Sequence, residues 1–297
     1  MICDYPAVME NELIYVYVLR YHRFCGNSSI TRTFKDFFEL GSGITGLYFP
    51  GNANHFLKQI QMDADTYLRQ HSIWPFYKLF VSEAKYQKIK QLAIYDNRNL
   101  SRQISQCYDY EDDSLIKNAL WYCPICHKER KDFSDIKIFH QIPGVYVCEK
   151  HHCRLKALPI KKREFLSTPE KWDVSFESCD DRWLNGIAED VKYVMEYQPD
   201  IFVDSISKHI KDELKKQIVV KGKKLVEAEL LGQYKELPVE YQDYYRRFTL
   251  DQYLLGKSVN PYVTPMEYMI LIRMLFGNFR HYVENLKTKE YYSKKKD

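Results

Sequence analysis

Two matched turns fix the middle of this chain. Cys123-Pro124-Ile125-Cys126 is followed, after 21 intervening residues, by Cys148-Glu149-Lys150-His151. A Cys-x2-Cys turn lets two thiolates close on one ion, and a Cys-x2-His turn adds a third sulfur and an imidazole. Together they complete the tetrahedral three-sulfur, one-nitrogen shell that structural zinc prefers. The expectation is one structural zinc on Cys123, Cys126, Cys148 and His151, in a zinc ribbon over residues 116–160. His152 competes with His151 for the fourth position, and Cys153 could ligate only if the second turn were reshaped. His140, inside the insert, reads either as a buried, hydrogen-bonded residue or as one that orients a ligand. Short strands are expected at Lys137 to His140 and Gly144 to Cys148, on facing hairpins. The competing reading of Cys-x2-Cys, a redox dithiol, calls for a strand–helix setting that the pattern here does not suggest.

Four protein ligands leave no open position for an activated water, which argues against zinc catalysis. Other enzyme signatures fail on inspection. Gly256-Lys257-Ser258 resembles the end of a phosphate-binding loop, but Asp251 stands where the first glycine is required. The remaining cysteines, Cys3, Cys25, Cys107 and Cys179, have no partner turns and read as buried thiols. The chain is expected not to be an enzyme.

Of the 297 residues, 45% are hydrophobic and 28% charged, the balance of a folded protein rather than a disordered one. Aromatic residues reach 15%, so the core and any partner surface should be rich in rings. The apolar run Ile14 to Leu19 is far short of a membrane span, and Arg273 interrupts the run near the C-terminus. The N-terminal residues lack the basic and apolar regions of a signal peptide, so a cytoplasmic location is expected. Eight cysteines there favour metal ligation or free thiols over disulfides.

Periodicity and capping signals predict a mainly α-helical fold in three parts. Residues 1–115 form a helical domain, in which Leu13, Tyr17, Arg20, Tyr21 and Phe24 follow helical spacing up to a stop at Gly26-Asn27. Asn54 is expected to cap a helix carrying Phe56, Leu57 and Ile60; Met62 to His71 reads as another helix, ended by Trp74-Pro75-Phe76-Tyr77. Gly41 to Asn52 reads as a loop, and the polar stretch Lys161 to Ser178 as a linker. Residues 161–297 are helical again, with a helix-turn-helix as a candidate within them. Trp183, Ile187, Val191 and Val194 form one stripe behind an Asp180 or Asp181 cap, and further helices cover Ile206 to Lys216, Leu225 to Leu231 and Thr264 to Leu286, the last with Thr264 as N-cap and Pro265 at the first helical position.

Net charge is only +4, but it is uneven. Between Lys208 and Lys224 seven lysines stand against Asp212 and Glu213, a local charge of +5. Lys215, Lys216, Lys223 and Lys224 are therefore the candidate contacts to the phosphates of double-stranded DNA, beside Tyr244, Tyr245, Arg246, Arg247 and Phe248. A solvated helix face is the plainer reading of the same lysines.

Three ordered motifs bear a further likeness. Tyr122-Cys123-Pro124-x-Cys126, His140-Gln141-Ile142-Pro143-Gly144-Val145 and Cys148-x2-His151-x3-Leu155 resemble the TniQ/TnsD family of transposon target-selection proteins. Upstream, Tyr5-Pro6, Glu12-Leu13-Ile14-Tyr15, Arg20-Tyr21-His22 and Gly26-Asn27-Ser28-Ser29 resemble that family's opening segment. Leu68-x2-His71-Ser72-x-Trp74-Pro75-Phe76-Tyr77 resembles its His-Thr-x-x-Pro-Tyr-Tyr segment. The chain departs from the family at Asp135 to Phe139, where a Gly and a Tyr-Trp-x-Arg run are common. The resemblance implies an adaptor that marks target DNA, alone or with a CRISPR guide-RNA complex, and recruits an AAA+ ATPase. The alternative is a free-standing, sequence-specific DNA-binding regulator. An ATPase-facing surface needs aromatic and arginine anchors; the candidates are Tyr15, Arg20 and Arg23, expected to project from the first helix, with Trp74, Phe76, Tyr77 and Phe80 nearby.

Overall fold

In the computed structural model, residues 6–38, 48, 53–95, 117, 119–130, 132–158, 168–245 and 263–293 are described. They form thirteen helices and one two-stranded antiparallel sheet. The fold is mainly α, as the sequence led us to expect. The loop from Gly41 to Asn52 (Tyr48 excepted), Cys3, Cys107, Gly256-Lys257-Ser258 and the Arg246, Arg247 and Phe248 group lie outside the described residues.

α1 (Ile14–Cys25) ends where Gly26 turns left-handed at φ 69°, as the Gly26-Asn27 stop implies. Its first six residues are all buried, so this half of the helix is apolar on every side and packed on every side. α2 (Ile30–Phe38) and α3 (Ala53–Gln59) close over it. Tyr17, Phe37 and Phe56 meet edge-on, at ring-centroid distances from 5.2 to 6.0 Å. Asn54 lies inside α3 and does not precede it.

α4 (Ala64–Gln70) is capped by Asp63, which accepts from Thr66 N at 2.9 Å. Trp74-Pro75-Phe76-Tyr77 does not merely end that helix. It begins α5 (Trp74–Lys78), because Pro75 sits in the first turn, where its missing N–H is no loss. α6 (Glu83–Tyr95) completes this part.

The cysteine-rich segment is built differently from the expected hairpins. Its strands are β1 (Leu120–Tyr122) and β2 (Lys156–Leu158), paired Leu120 to Leu158 and Tyr122 to Lys156. Ile138–Gln141 is a 3-10 turn, and Gly144 to Cys148 makes only an isolated bridge at Val147. Gln141 explains why no strand is needed beside β1. Its side chain accepts from Trp121 N at 2.8 Å and donates to Trp121 O at 2.7 Å, so one carboxamide satisfies the backbone groups a further strand would have paired.

Of the expected linker, residues 168–178 pack onto the same segment. Trp172 is buried against Tyr122 and His127, and Cys153 bridges to Ser178. α8 (Arg182–Tyr197) begins at Asp181, whose carboxylate accepts from Trp183 N and Leu184 N. Trp183, Ile187, Val191 and Val194 are buried, as their spacing implies.

α9 (Val203–Lys221) and α10 (Lys223–Lys235) are joined by Gly222 alone, at φ 88°. The three-residue turn Glu236-Leu237-Pro238 leads to α11 (Val239–Tyr245). The last expected helix is two. Thr264 forms a capping box with Glu267 at the start of α12 (Pro265–Phe276), and Gly277-Asn278 separates it from α13 (Phe279–Ser293).

These helices rest on the cysteine-rich segment. Gly144, at φ 88°, leaves a notch filled by the Met266 side chain, and Tyr241 Oη donates to Gly144 O at 2.7 Å. Glu12 forms an antiparallel backbone bridge with Lys137, which ties the start of the chain to the same segment.

A candidate metal centre between two short turns

Tyr122 leads β1 directly into Cys123, and α7 (Pro124–Arg130) starts at the next residue, so the Cys-x2-Cys turn does have the strand–helix setting that the sequence did not suggest; what sets it apart from a redox dithiol is the approach of Cys148 and His151. Pro124 suits that first helical position, and the opening turn of α7 carries Cys126 back beside Cys123, with Cys126 N donating to Cys123 Sγ at 3.4 Å. The second turn is closed by two backbone bonds, Cys148 N to Cys153 O and His152 N to Cys148 O, both 2.9 Å. His152 takes a left-handed φ of 47° and is exposed, whereas His151 faces the cysteines.

His151 Nδ1 lies 3.3 Å from Cys123 Sγ, 3.3 Å from Cys126 Sγ and 3.7 Å from Cys148 Sγ. All four ligand atoms fall within 4.8 Å of one another. Sulfurs on a tetrahedral ion with 2.3 Å bonds stand about 3.8 Å apart, so the cluster has the size of a metal shell. It can hold one metal ion, and the sequence-derived quartet is the set that the fold brings together. Cys153 is buried with its Sγ 3.5 Å from Cys123 Sγ, but it is not part of the mutually close set.

Without a cation, the thiols resist ionisation. Cys123 and then burial push the Cys126 thiol up to about 12, despite relief from Cys148. Cys148 is favoured by Cys123, but Cys126 and burial also bring it to about 12. Such a cluster suits a divalent ion, which removes the mutual penalty on three thiolates.

Surrounding groups hold the turns in place. Glu129 Oε1 lies 3.7 Å from His151 Nε2, the nitrogen that points away from the cluster. Cys148 Sγ approaches Glu149 Oε2 at 3.6 Å, and His140, fully buried, meets the same oxygen at 3.2 Å. Burial alone would raise the Glu149 carboxyl, but His140 and Lys137 hold it down at about 2. His140 is thus buried and hydrogen-bonded, the first of its two readings. His127, adjacent to Cys126, pairs with Asp135 at 3.2 Å and with Pro169 O at 2.8 Å, which ties α7 to the 168–178 segment. Neither nitrogen contact was visible in the spacing of the sequence.

The other candidates divide. Lys215, Lys216, Lys223 and Lys224 are all exposed at the meeting of α9 and α10. Lys216 pairs with Glu213 at 3.6 Å and Lys223 with Glu227 at 3.6 Å, so part of the local positive charge is balanced.

The expected partner face on α1 needs correction. Tyr15 does not project: it is 1% exposed and packs on Phe34 at 4.8 Å. Arg20 is largely buried and bound at both ends of its fork by Glu12, at 2.9 and 2.8 Å, with Ala7 O at 2.7 Å. Trp74, Phe76, Tyr77 and Phe80 are core residues. Arg23 remains at the surface, paired with Glu170 at 2.6 Å, and beside it Phe24 is 73% exposed. Cys25 is half-buried near Thr33, and Cys179 is buried as expected.

Among the described residues, no helix is long and apolar enough to cross a membrane. No curated protein matches the chain. The family model for TniQ matches residues 5–155, just over half of the chain, from the opening segment through the Cys148–His151 turn to the residue before β2. The chain belongs to the TniQ family, which is associated with target selection in transposition.

Proposed function

We propose that this protein is a target-selection adaptor with no chemistry of its own, which engages target DNA and recruits an AAA+ ATPase. The observation that carries the reading is the TniQ match over a region that includes all four members of the metal cluster. Zinc is the ion its three sulfurs and one imidazole suit, and a shell filled by four protein ligands makes it a structural one. DNA contact is assigned to Lys215, Lys216, Lys223 and Lys224. The ATPase surface is assigned to Arg23 and Phe24, which leave Arg20 and Tyr15 to hold α1 in place. A guide-RNA complex is a further partner that would deliver the adaptor to its site.

The test is recruitment of the cognate ATPase, preassembled on DNA, by the intact protein and by Arg23→Glu combined with Phe24→Ala. Recruitment by the intact protein and its loss in a variant that keeps its metal and melting temperature are expected. Failure of the folded, intact protein to engage the ATPase would favour the free-standing DNA-binding regulator.

A further inference from the structure

The DNA-contact reading accounts for the lysines at the meeting of α9 and α10 but not for what lies between them. Val219 is 85% exposed, Val220 81% and Leu225 51%. In chain order they alternate with cations: Lys215 and Lys216 come before the valines, and Lys221, Lys223 and Lys224 separate them from the leucine. All of these lysines are exposed. Gly222 links the two helices with a left-handed φ of 88°, and nothing lies within 4 Å of the position a side chain would take there. The junction is thus open to solvent and projects three bare aliphatic side chains. Binding phosphates requires only cations, so valines and a leucine in water gain nothing from that role and add an adhesive patch.

We propose that the α9–α10 junction enters the minor groove of duplex DNA, with Val219, Val220 and Leu225 against the sugar and base edges and the lysines on the flanking phosphates. The inference rests on the DNA-contact reading above. The minor groove is about 6 Å wide and walled on both sides by phosphates. In chain order cations stand on both sides of Val219 and Val220, as that cross-section requires. Proteins that bind there commonly press aliphatic side chains between base steps and bend the duplex away from themselves. Binding of this kind reads shape and deformability more than a base code, because the minor groove offers a degenerate pattern.

The experiment uses the full-length protein and a duplex of about 30 base pairs carrying a dye at each end, short against the persistence length of DNA. Affinity is measured across a salt series, and end-to-end distance by energy transfer. Two variants are compared: Val219→Ser/Val220→Ser/Leu225→Ser, and Lys215→Gln/Lys216→Gln/Lys223→Gln/Lys224→Gln. All seven sites are exposed, so both variants should retain the metal and the melting temperature, which are checked first. The intact protein is expected to bend the duplex and to be displaced by distamycin, a minor-groove ligand. The serine variant should lose the bend and at least about tenfold in affinity with an unchanged salt slope; the glutamine variant should bind with a shallower slope. A serine variant that binds and bends as the intact protein does would overturn the groove assignment and leave the lysine reading standing. Indifference to distamycin would overturn it in the same way. An intact protein that does not bind duplex at low salt would overturn the DNA-contact reading together with the inference built on it.

Discussion

Arg273 occupies the space that a side chain at Gly186 would need. The guanidinium of α12 lies directly over Gly186 of α8, well inside the contact distance of any Cβ placed there. From that seat it donates to Asp190 Oδ2 at 2.7 Å, while Asp190 Oδ1 accepts from Phe279 N at 2.9 Å. One carboxylate thus joins α8, α12 and the first turn of α13.

Gly186→Ala should therefore displace Arg273 and destabilise the fold by about 1–3 kcal/mol, as overpacking does. Asp190→Ala should cost about 3 kcal/mol, because it leaves a largely buried guanidinium without its anion. Chemical denaturation of the two variants and of the double variant checks both figures. The double variant should fall short of the sum, because both changes break the same contact.

Gln141→Leu tests the carboxamide that stands in for a strand. The change keeps the side chain's bulk but leaves the N–H and C=O of Trp121 unpaired. A loss of about 1–3 kcal/mol is expected on denaturation. Gln141→Glu should be worse than an uncharged replacement, since a carboxylate can accept from Trp121 N but cannot donate to Trp121 O.

The metal set can be separated from its neighbours. Cys123→Ser, Cys148→Ser and His151→Ala should each strongly weaken zinc retention and lower the melting temperature, since binding and folding free energy are shared here. His152→Ala and Cys153→Ser should keep their metal in full. Metal analysis after dialysis decides; zinc lost from Cys153→Ser but kept in His151→Ala would replace the imidazole with a fourth thiol.

Acidity should act on the two forms with opposite sign. In the metal-free fold Cys126 and Cys148 stand at about 12, above the ~8.5 of a free thiol. An acid whose pKa is raised by folding contributes stability that is complete below the unfolded value and is lost as pH rises toward the folded one. The metal-free protein should accordingly weaken above about pH 8.5. Zinc affinity should climb over the same range, because ligation expels the thiol protons. Unfolding curves with and without chelator, at several pH values, give both slopes.

What the sequence disclosed and what it concealed follow from distance along the chain. The Cys/His quartet was readable because each of its pairs stands three positions apart on a single turn. Asp181 and Thr264 were readable for the same reason: a cap acts on the first turn of its own helix. The strands were misread because Gln141 meets Trp121 from 20 residues away and satisfies it with a side chain. Tyr15 was misread because the start of α1 has no outer face, and Arg20 because its anion lies eight residues upstream, beyond helical spacing. Arg273 read as an interruption in an apolar run; its partner is 83 residues away.

Through the notch at Gly144, an ion held by the cluster would act beyond its own ligands. The chain from Cys126 to Cys148 has both ends in the cluster, and Gly144, four residues before Cys148, is the seat for Met266 and Tyr241. An empty cluster would slacken that seat, and helices that supply no ligand would lose their footing. Zinc supply would then act as a licence for the whole molecule: a chain starved of the ion would fail at its distant, lysine-bearing end as well as at its cysteines.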